Sequence, residues 1–383
     1  MRTLLCLFAT MALASPVWAE PTFLAKQYTR CTACHYSPTG GGLLTPYGRF
    51  LSHRELSTTG ASDTVPSDAD DDPRGEQAFL NGVLGDALGP VNLGLDLRPS
   101  HLSIGFPGGH EGLNLLMNLD LTAAIEKNGW TAFGTVGREP PNAAVRNGRT
   151  LPDSTFISYE HWISYQTDSG FRIRAGRFLP AYGVRFPDHT TYTRMYLDLD
   201  RNDQVYGAEI SATMGSSLVQ VMVSPGKAEA ILHDPTHRGF STAGRWQVDL
   251  APRATVVGSG FYRNATDADP LSGAVGGAFG LAPTSRVSLW TEVDANLQTK
   301  AGGGVSWVVT HETSVEIYRG IWMKVSPQFL TPGGSPGGSS RRRLAFAADL
   351  LPRTHWNVNI GYYLDHASGA TASTVVTQLH LFL

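Results

Sequence analysis

The chain has 383 residues, with 30 Lys and Arg against 33 Asp and Glu, and a net charge of only −3 at pH 7. That charge is too small to predict a nucleic-acid partner, and the sequence shows no phosphate-cradling glycine loop. Aromatic residues make up 10% of the chain, charged residues only 16%, and glycine is abundant. This composition is compatible with a membrane β-barrel without identifying one.

Residues 1–19 have the features of a secretory signal peptide. Arg2 precedes a short apolar run, and the stretch ends at Ala19, a small residue suited to signal peptidase. We therefore expect cleavage after Ala19 and export from the cytoplasm. The mature chain then contains two cysteines, Cys31 and Cys34, because the third cysteine lies within the signal.

The next segment, 20–59, contains the run Cys31-Thr32-Ala33-Cys34-His35. This is the spacing of c-type haem attachment, in which two thiols form thioethers with the porphyrin vinyl groups and the adjacent histidine ligates the iron. We predict one covalently bound haem c, held by Cys31 and Cys34, with His35 as the proximal iron ligand. A structural disulfide and a redox-active dithiol are the alternatives, but neither needs a histidine at that position.

The same segment offers one candidate for the distal iron ligand. It contains no methionine, and its only other histidine is His53, which follows His35 by eighteen residues. We therefore predict ligation by His35 and His53, while an exposed polar histidine is an equally good interpretation of His53. A ligand from the barrel wall is the other alternative, and the candidates are His101, His110, His161 and Met117.

Residues 60–78 are rich in Asp, Ser, Pro and Gly and include the acidic run Asp68-Ala69-Asp70-Asp71-Asp72. Carboxylates are the oxygen ligands that calcium prefers, but this run lacks the fixed ligand spacing and the turn glycine of a loop-type calcium site. We therefore predict a solvated linker.

From residue 79 to residue 383 the sequence alternates between apolar and polar positions. In 113–121, for example, leucines and a methionine at odd positions alternate with Asn114, Asn118 and Asp120. A period of two predicts β-strands, and charges in mid-strand favour a water-filled lumen over a dry core. We predict an all-β fold, a transmembrane antiparallel β-barrel of about sixteen strands in 79–383. A soluble β-sandwich or propeller is the alternative.

The connections between the predicted strands are mostly short and long in turn, as in outer-membrane barrels with short periplasmic turns. One predicted connection, at 297–298, is short where a long one is expected. The predicted strands are 83–98, 112–126, 129–138, 155–167, 170–180, 203–213, 216–224, 239–250, 252–264, 271–281, 284–296, 299–309, 313–325, 340–351, 354–365 and 372–383.

The segment from Phe23 to His35, followed by a porin-like barrel, resembles the fused monohaem cytochrome–porins of the bacterial outer membrane. The best-known members of that family are associated with iron(II) oxidation. The resemblance implies one N-terminal c-type haem and electron transfer at the outer membrane, and it transfers residue by residue only to Cys31, Cys34 and His35. The chain departs from the iron-oxidising members after His35, where it continues into the glycine run 40–42. The departure concerns the substrate more than the architecture.

The predicted function is therefore outer-membrane electron transfer rather than enzymatic catalysis. The expected partners are outer-membrane lipid, a periplasmic cytochrome or other electron carrier, and an extracellular electron donor or acceptor. The haem segment is expected in the periplasm or in the barrel lumen.

Two alternatives to this function remain. One is a solute porin in which the haem segment is a plug or sensor, with the lumen-facing Arg172 and Arg174 and the outer-loop run Arg341-Arg342-Arg343 favouring anions. The other is a peroxidase with an open sixth coordination position on the iron.

Overall fold

The computed structural model describes residues 21–58, 90–139, 155–197, 199, 203–226, 240–264, 271–298, 304–333, 339–353 and 355–383. The predicted signal peptide and the predicted linker lie outside these residues. The strands are β1 Val91–Phe106, β2 Gly109–Lys127, β3 Trp130–Glu139, β4 Thr155–Gln166, β5 Phe171–Phe178, β6 Val205–Met214, β7 Ser217–Ser224, β8 Ser241–Ala251, β9 Ala254–Arg263, β10 Leu271–Thr284, β11 Val287–Gln298, β12 Gly304–Tyr318, β13 Ile321–Leu330, β14 Arg341–Arg353, β15 Trp356–Ala367 and β16 Ala370–Phe382.

These strands form one closed barrel, so the predicted fold class and the predicted number of strands are confirmed. Every strand pairs antiparallel with its neighbours in the sequence, and β1 pairs with β16 to close the ring. Closure leaves no sheet edge unpaired, which is the condition for a β-structure to cross a membrane. Within the described residues, no helix is both long and apolar enough to cross a membrane.

Besides the first strand, which is Val91–Phe106 rather than 83–98 and leaves a connection of residues 107–108 where 99–111 was predicted, two predicted boundaries are wrong. The turn predicted between 309 and 313 lies within β12, and the chain turns instead at Arg319-Gly320, where Gly320 has a φ of +74°. Thr310 and Glu312, which fall in the predicted turn, are buried side chains on the inner face of the strand. The second error is the short connection at 297–298, because β11 runs on to Gln298 and β12 starts only at Gly304.

The strands alternate between an apolar outer face and a polar inner face. In β8, Trp246 and Leu250 are exposed on the outside, whereas Arg245, Gln247 and Asp249 point inward and are buried. Exposed aromatic side chains also occur at both ends of the barrel wall, as in the aromatic girdles of outer-membrane barrels. At one end they are Trp130, Tyr165, Phe171, Tyr318 and Trp356, and at the other Phe106, Phe156, Phe240, Trp307 and Phe329.

The two ends of the barrel differ in the length of their connections. At one end all seven connections have two to four residues, and we call this the short-turn end. At the other end the connections reach 26 residues, in 179–204. In outer-membrane barrels the short turns face the periplasm.

Two parts of the chain fold into the barrel and fill it. The first is residues 21–58, the N-terminal segment, with 3₁₀-helices Pro21–Lys26 and Cys31–Ala33, an α-helix Pro46–Leu51 and a π-helix Ser52–Leu56. The second is residues 179–197, the inserted loop, which comes from the long-loop end and contains the short helix Tyr192–Met195.

Two apolar clusters join these parts to the barrel wall. One combines Tyr36 and Leu43 of the N-terminal segment with wall aromatics and with inserted-loop residues such as Tyr182. The other combines Leu24 and Leu51 of the segment with inserted-loop and wall residues. Both clusters contain residues of the N-terminal segment, the inserted loop and the wall.

The polar inner wall confirms that the lumen is filled. Gln220 and Thr310 are 0% exposed and Gln247 is 1% exposed, although all three face inward from the strands. In an open, water-filled channel such side chains would be wetted. They are covered because the N-terminal segment and the inserted loop occupy the space in front of them.

Candidate functional site

The Cys31–His35 run forms a compact turn inside the barrel. The amides of Cys34 and His35 donate to the carbonyl of Cys31, at 3.1 and 3.0 Å. His35 then pairs with Leu44 as an isolated antiparallel bridge, and the amide of Thr45 donates to the carbonyl of Cys34 at 2.8 Å. The motif is therefore one side of a small hairpin that fixes the relative positions of the two cysteines and the histidine.

Thr45 joins this hairpin to the helix that follows. Its hydroxyl accepts a hydrogen bond from the amide of Gly48 at 3.0 Å, which caps the helix Pro46–Leu51, and donates to the carbonyl of Ala33 at 3.1 Å. The helix packs closely on the motif at Gly48, where a Cβ atom would lie 2.3 Å from the carbonyl oxygen of Cys34. Only glycine permits this approach.

The hairpin turns through three glycines, 40–42, with φ values of +83°, +72° and +65°. Side chains other than glycine rarely adopt this left-handed conformation. A Cβ atom on Gly40 would lie 3.0 Å from Sγ of Cys31, and one on Gly41 would lie 2.7 Å from Cζ of Arg185 in the inserted loop. The glycine turn is therefore held between the first cysteine and an arginine from the opposite end of the barrel.

The two thiols and the imidazole are in forms that suit haem attachment. Cys31 and Cys34 form no disulfide; Cys31 is half-buried and Cys34 is 4% exposed. Burial, and secondly the charge of Arg185, lower the pKa of His35 to about 4, although the carbonyls of Gly42 and Gly41 oppose this shift. The imidazole is therefore neutral at neutral pH, the form that ligates a metal.

The surroundings of the motif also fit a covalently bound haem. Nδ1 of His35 is buried without a hydrogen-bond partner, so the ring has capacity for a further interaction. Phe23 and Tyr28 pack edge to face, with ring centroids 5.9 Å apart, and Cys34 belongs to the apolar cluster that includes Leu24 and Leu51. Apolar surroundings and a neutral histidine are what an axially ligated haem requires of a protein.

The distal ligand stays a prediction. The backbone of His53 lies in the π-helix Ser52–Leu56, but its side chain is outside the described part of the structure. The four wall candidates are engaged by neighbours in the strands. His101 bonds Asn114, His110 bonds Ser103, His161 bonds Ser158, and the sulfur of Met117 accepts from Gln378.

A buried ion pair anchors the N-terminal segment at the short-turn end. Nη2 of Arg30 lies 2.7 Å from Oδ2 of Asp249 in β8, and the two side chains are 0% and 1% exposed. The same guanidinium donates to the carbonyl of Gly215, in the turn between β6 and β7, at 2.7 Å. Four strands further round the barrel, in β12, Oε2 of Glu316 lies 2.5 Å from Nζ of Lys26.

Wall side chains also bind the backbone of the segment. Arg253 donates to the carbonyl of Ala25 at 3.2 Å, and Gln247 donates to that of Thr29 at 2.7 Å. Further contacts are Arg172 to Tyr36, Arg319 to Ser57, Ser288 to Pro21 and, from the segment to the wall, Arg49 to Leu93. Such contacts with β1, β5, β8 and β11 surround the segment, so it is part of the interior rather than an appendage.

The inserted loop is held by a second set of hydrogen bonds. The hydroxyl of Tyr182 donates to Asp294 at 2.8 Å, and the amide of Val184 donates to Glu292 at 3.0 Å. Between them, the amide of Gly183 donates to Ser259 at 2.8 Å. These bonds place the next residue, Arg185, above the glycine turn.

The sequence did not predict the inserted loop. It predicted only a long connection after β5, yet 178–187 reads Phe-Leu-Pro-Ala-Tyr-Gly-Val-Arg-Phe-Pro, which is unusually apolar for an outer loop. That composition was the available signal, since apolar and aromatic side chains in a long connection favour packing inside the protein. Of the arginines predicted to favour anions, Arg174 pairs with Glu209 at 2.8 Å. The run Arg341-Arg342-Arg343, predicted in an outer loop, instead begins strand β14, and Arg343 pairs with Asp365 at 2.8 Å.

Comparison with known proteins identifies the fold and no more. No protein-family model and no curated protein sequence matches the chain. Among solved structures, OprB of Pseudomonas putida covers 78% of this chain and 97% of its own length, with 10% identity and a TM-score of 0.56. An anion-selective porin from Comamonas acidovorans covers 76% and 99%, with 8% identity and a TM-score of 0.55.

A third similar structure is a loop-deletion variant of OmpT, an outer membrane protein of Vibrio cholerae, which covers 76% of this chain and 99% of its own. It is 8% identical, with a TM-score of 0.58. The chain therefore has the sixteen-strand fold of outer-membrane porins, and the matched share is about that of the barrel.

Proposed function

We propose that this protein is an outer-membrane electron-transfer protein, in which a porin-type barrel carries one covalently bound haem c in its short-turn half. The observation that carries the proposal is the contact of Arg30 with Gly215, at 2.7 Å in a short turn. Cys31 is the next residue, and on the other side of the motif the carbonyl of Tyr36 accepts a hydrogen bond from Arg172, the second residue of β5 after a short turn. The predicted attachment site is thus close to the mouth that faces the periplasm in such barrels.

The chain's own residues have separate tasks in this proposal. The Cys31 and Cys34 thiols would hold the haem by adding across its two vinyl groups, with each sulfur and its proton going to the two carbons of one double bond, so no oxidant would be needed. His35 ligates the iron, and the haem supplies one-electron transfer when bound. The apolar clusters around Cys34 exclude water, and the anchored segment keeps the site beside the periplasmic mouth. A periplasmic cytochrome or other carrier would exchange electrons there.

The second candidate is a solute porin in which the N-terminal segment is a plug. The fold favours it, because one of the similar solved structures is an anion-selective porin. The filled lumen opposes it, since inner-wall side chains such as Gln247 are buried by the segment. Two arginines that could have attracted anions, Arg174 and Arg343, are also paired with carboxylates.

The experiment that separates the two functions uses the full-length protein in lipid vesicles. Covalent haem is measured first, from the haem that stays with the denatured polypeptide. A redox dye is then enclosed in the vesicles, and a membrane-impermeant reductant is added outside. The matched control is the haem-free double variant Cys31→Ser/Cys34→Ser.

Electron transfer predicts covalent haem and dye reduction that the double variant loses. Absence of covalent haem in protein made with an active haem-attachment system would refute the proposal. Solute conductance that is large in both proteins, together with no haem-dependent dye reduction, would establish the porin instead.

A further inference from the structure

Arg185 reaches the predicted haem site from the far end of the barrel. Its Nη1 donates to the carbonyl of Gly40, and its guanidinium lies against Gly41, where a Cβ atom would be 2.7 Å from Cζ. Sγ of Cys31 lies on the other side of the same turn, 3.0 Å from where a Cβ of Gly40 would be. Arg185 and Cys31 therefore enclose the glycine turn that follows His35.

The structure holds this arginine in place through its backbone. The amides of Gly183 and Val184 donate to wall residues, and Arg194 donates to the carbonyl of Phe186 at 2.9 Å. The loop is thus fixed on both sides of Arg185. A charge on a fixed support acts at a constant distance from the site, as a group that tunes a redox centre must.

A carboxylate of the barrel wall lies near Arg185. Its Nη1 lies 3.9 Å from Oε1 of Glu160, at the long limit of an ion pair, and its side chain is 20% exposed. Glu160 points inward from β4 and is itself buried. In an interior of low dielectric, fixed charges act strongly on a nearby redox centre, so both Arg185 and Glu160 should affect its potential.

We propose that the charge of Arg185 raises the reduction potential of the haem carried by Cys31, Cys34 and His35. The inference rests on the proposed function. A fixed cation disfavours the oxidised iron, which carries one more positive charge than the reduced iron, and so favours reduction. The protein's means of setting a haem potential include such electrostatic surroundings.

The test is a spectroelectrochemical titration of the haem-loaded full-length protein. Arg185→Gln should shift the midpoint potential to lower values, whereas Arg185→Lys, which keeps the charge, should stay near the wild type. A tenfold change in the equilibrium constant for reduction corresponds to about 59 mV for one electron. The control is Arg253→Gln, which removes an arginine that contacts the same segment at Ala25 but not the glycine turn.

A second variant keeps the test decisive if Arg185→Gln does not assemble. Glu160→Gln removes the nearby negative charge with little change of shape, and it should shift the potential upward. An unchanged midpoint potential in both Arg185→Gln and Glu160→Gln would overturn the inference. Equal shifts of the potential in Arg185→Gln and Arg185→Lys would also overturn it, because they would indicate a structural role for Arg185. Wild-type protein without covalent haem would refute the proposed function, and with it this inference.

Discussion

The ion pair between Arg30 and Asp249 should decide whether the N-terminal segment stays seated in the barrel. Both side chains are almost fully buried, and Nη2 lies 2.7 Å from Oδ2. Asp249→Asn removes the carboxylate charge from this buried pair, and breaking a buried pair in this way costs about 3–5 kcal/mol. Because every 1.4 kcal/mol is about a factor of ten, the ratio of displaced to seated segment should rise about 100-fold or more.

Limited proteolysis of the protein in lipid vesicles measures this ratio, since a displaced segment is cleaved and a seated one is enclosed. The double variant Arg30→Gln/Asp249→Asn should recover much of the protection, because it leaves no uncompensated buried charge. The matched control is Arg54→Gln, on the same segment, whose contact with Glu55 at 3.6 Å is exposed and worth about 0–1 kcal/mol.

Two results would contradict this reasoning. One is a cleavage rate for Asp249→Asn equal to that of Arg54→Gln, which would show that the pair does not hold the segment. The other is a double variant at least as sensitive as the single one, which would show that the lost contact, rather than the buried charge, causes the effect.

Three further predictions concern the wall, the distal ligand and the order of assembly. Leu121 is at an outward position of β2 and is 64% exposed, so Leu121→Arg should destabilise the folded barrel in lipid by about 2–4 kcal/mol. Met214→Arg, beside a short turn, should cost about 0–1 kcal/mol. Equal costs of the two variants in denaturant titrations would contradict the outward, mid-membrane placement of Leu121. His53→Ala should convert the oxidised haem from a low-spin to a high-spin absorption spectrum if His53 is the distal ligand, and an unchanged spectrum would exclude it. Because Cys34 is 4% exposed inside a closed barrel, haem should attach only before the barrel closes; a barrel folded without haem that later gains covalent haem from an added attachment system would disprove this order.

The local pattern of the sequence was sufficient for the barrel and for the attachment motif. The outer positions Trp246 and Leu250 alternate with Arg245, Gln247 and Asp249, and this period of two is a property of any strand with one wet or polar face. The motif is likewise local, since Cys31, Cys34 and His35 are close in the chain whatever surrounds them. Errors arose where local polarity was ambiguous, as at Thr310 and Glu312, whose inward-facing side chains resemble those of a turn.

What fills the barrel was decided only by the tertiary structure. The alternation shows that Asp249 faces inward, but its partner Arg30 precedes it by 219 residues, and no local pattern connects them. The same holds for Arg185, which meets Gly40 across 145 residues of chain. The sequence by itself determined a strand-rich wall and a candidate haem motif. The closed barrel brought the motif, its anchors and an arginine of the opposite loop into one interior, because only closure places distant inward-facing side chains around a common space.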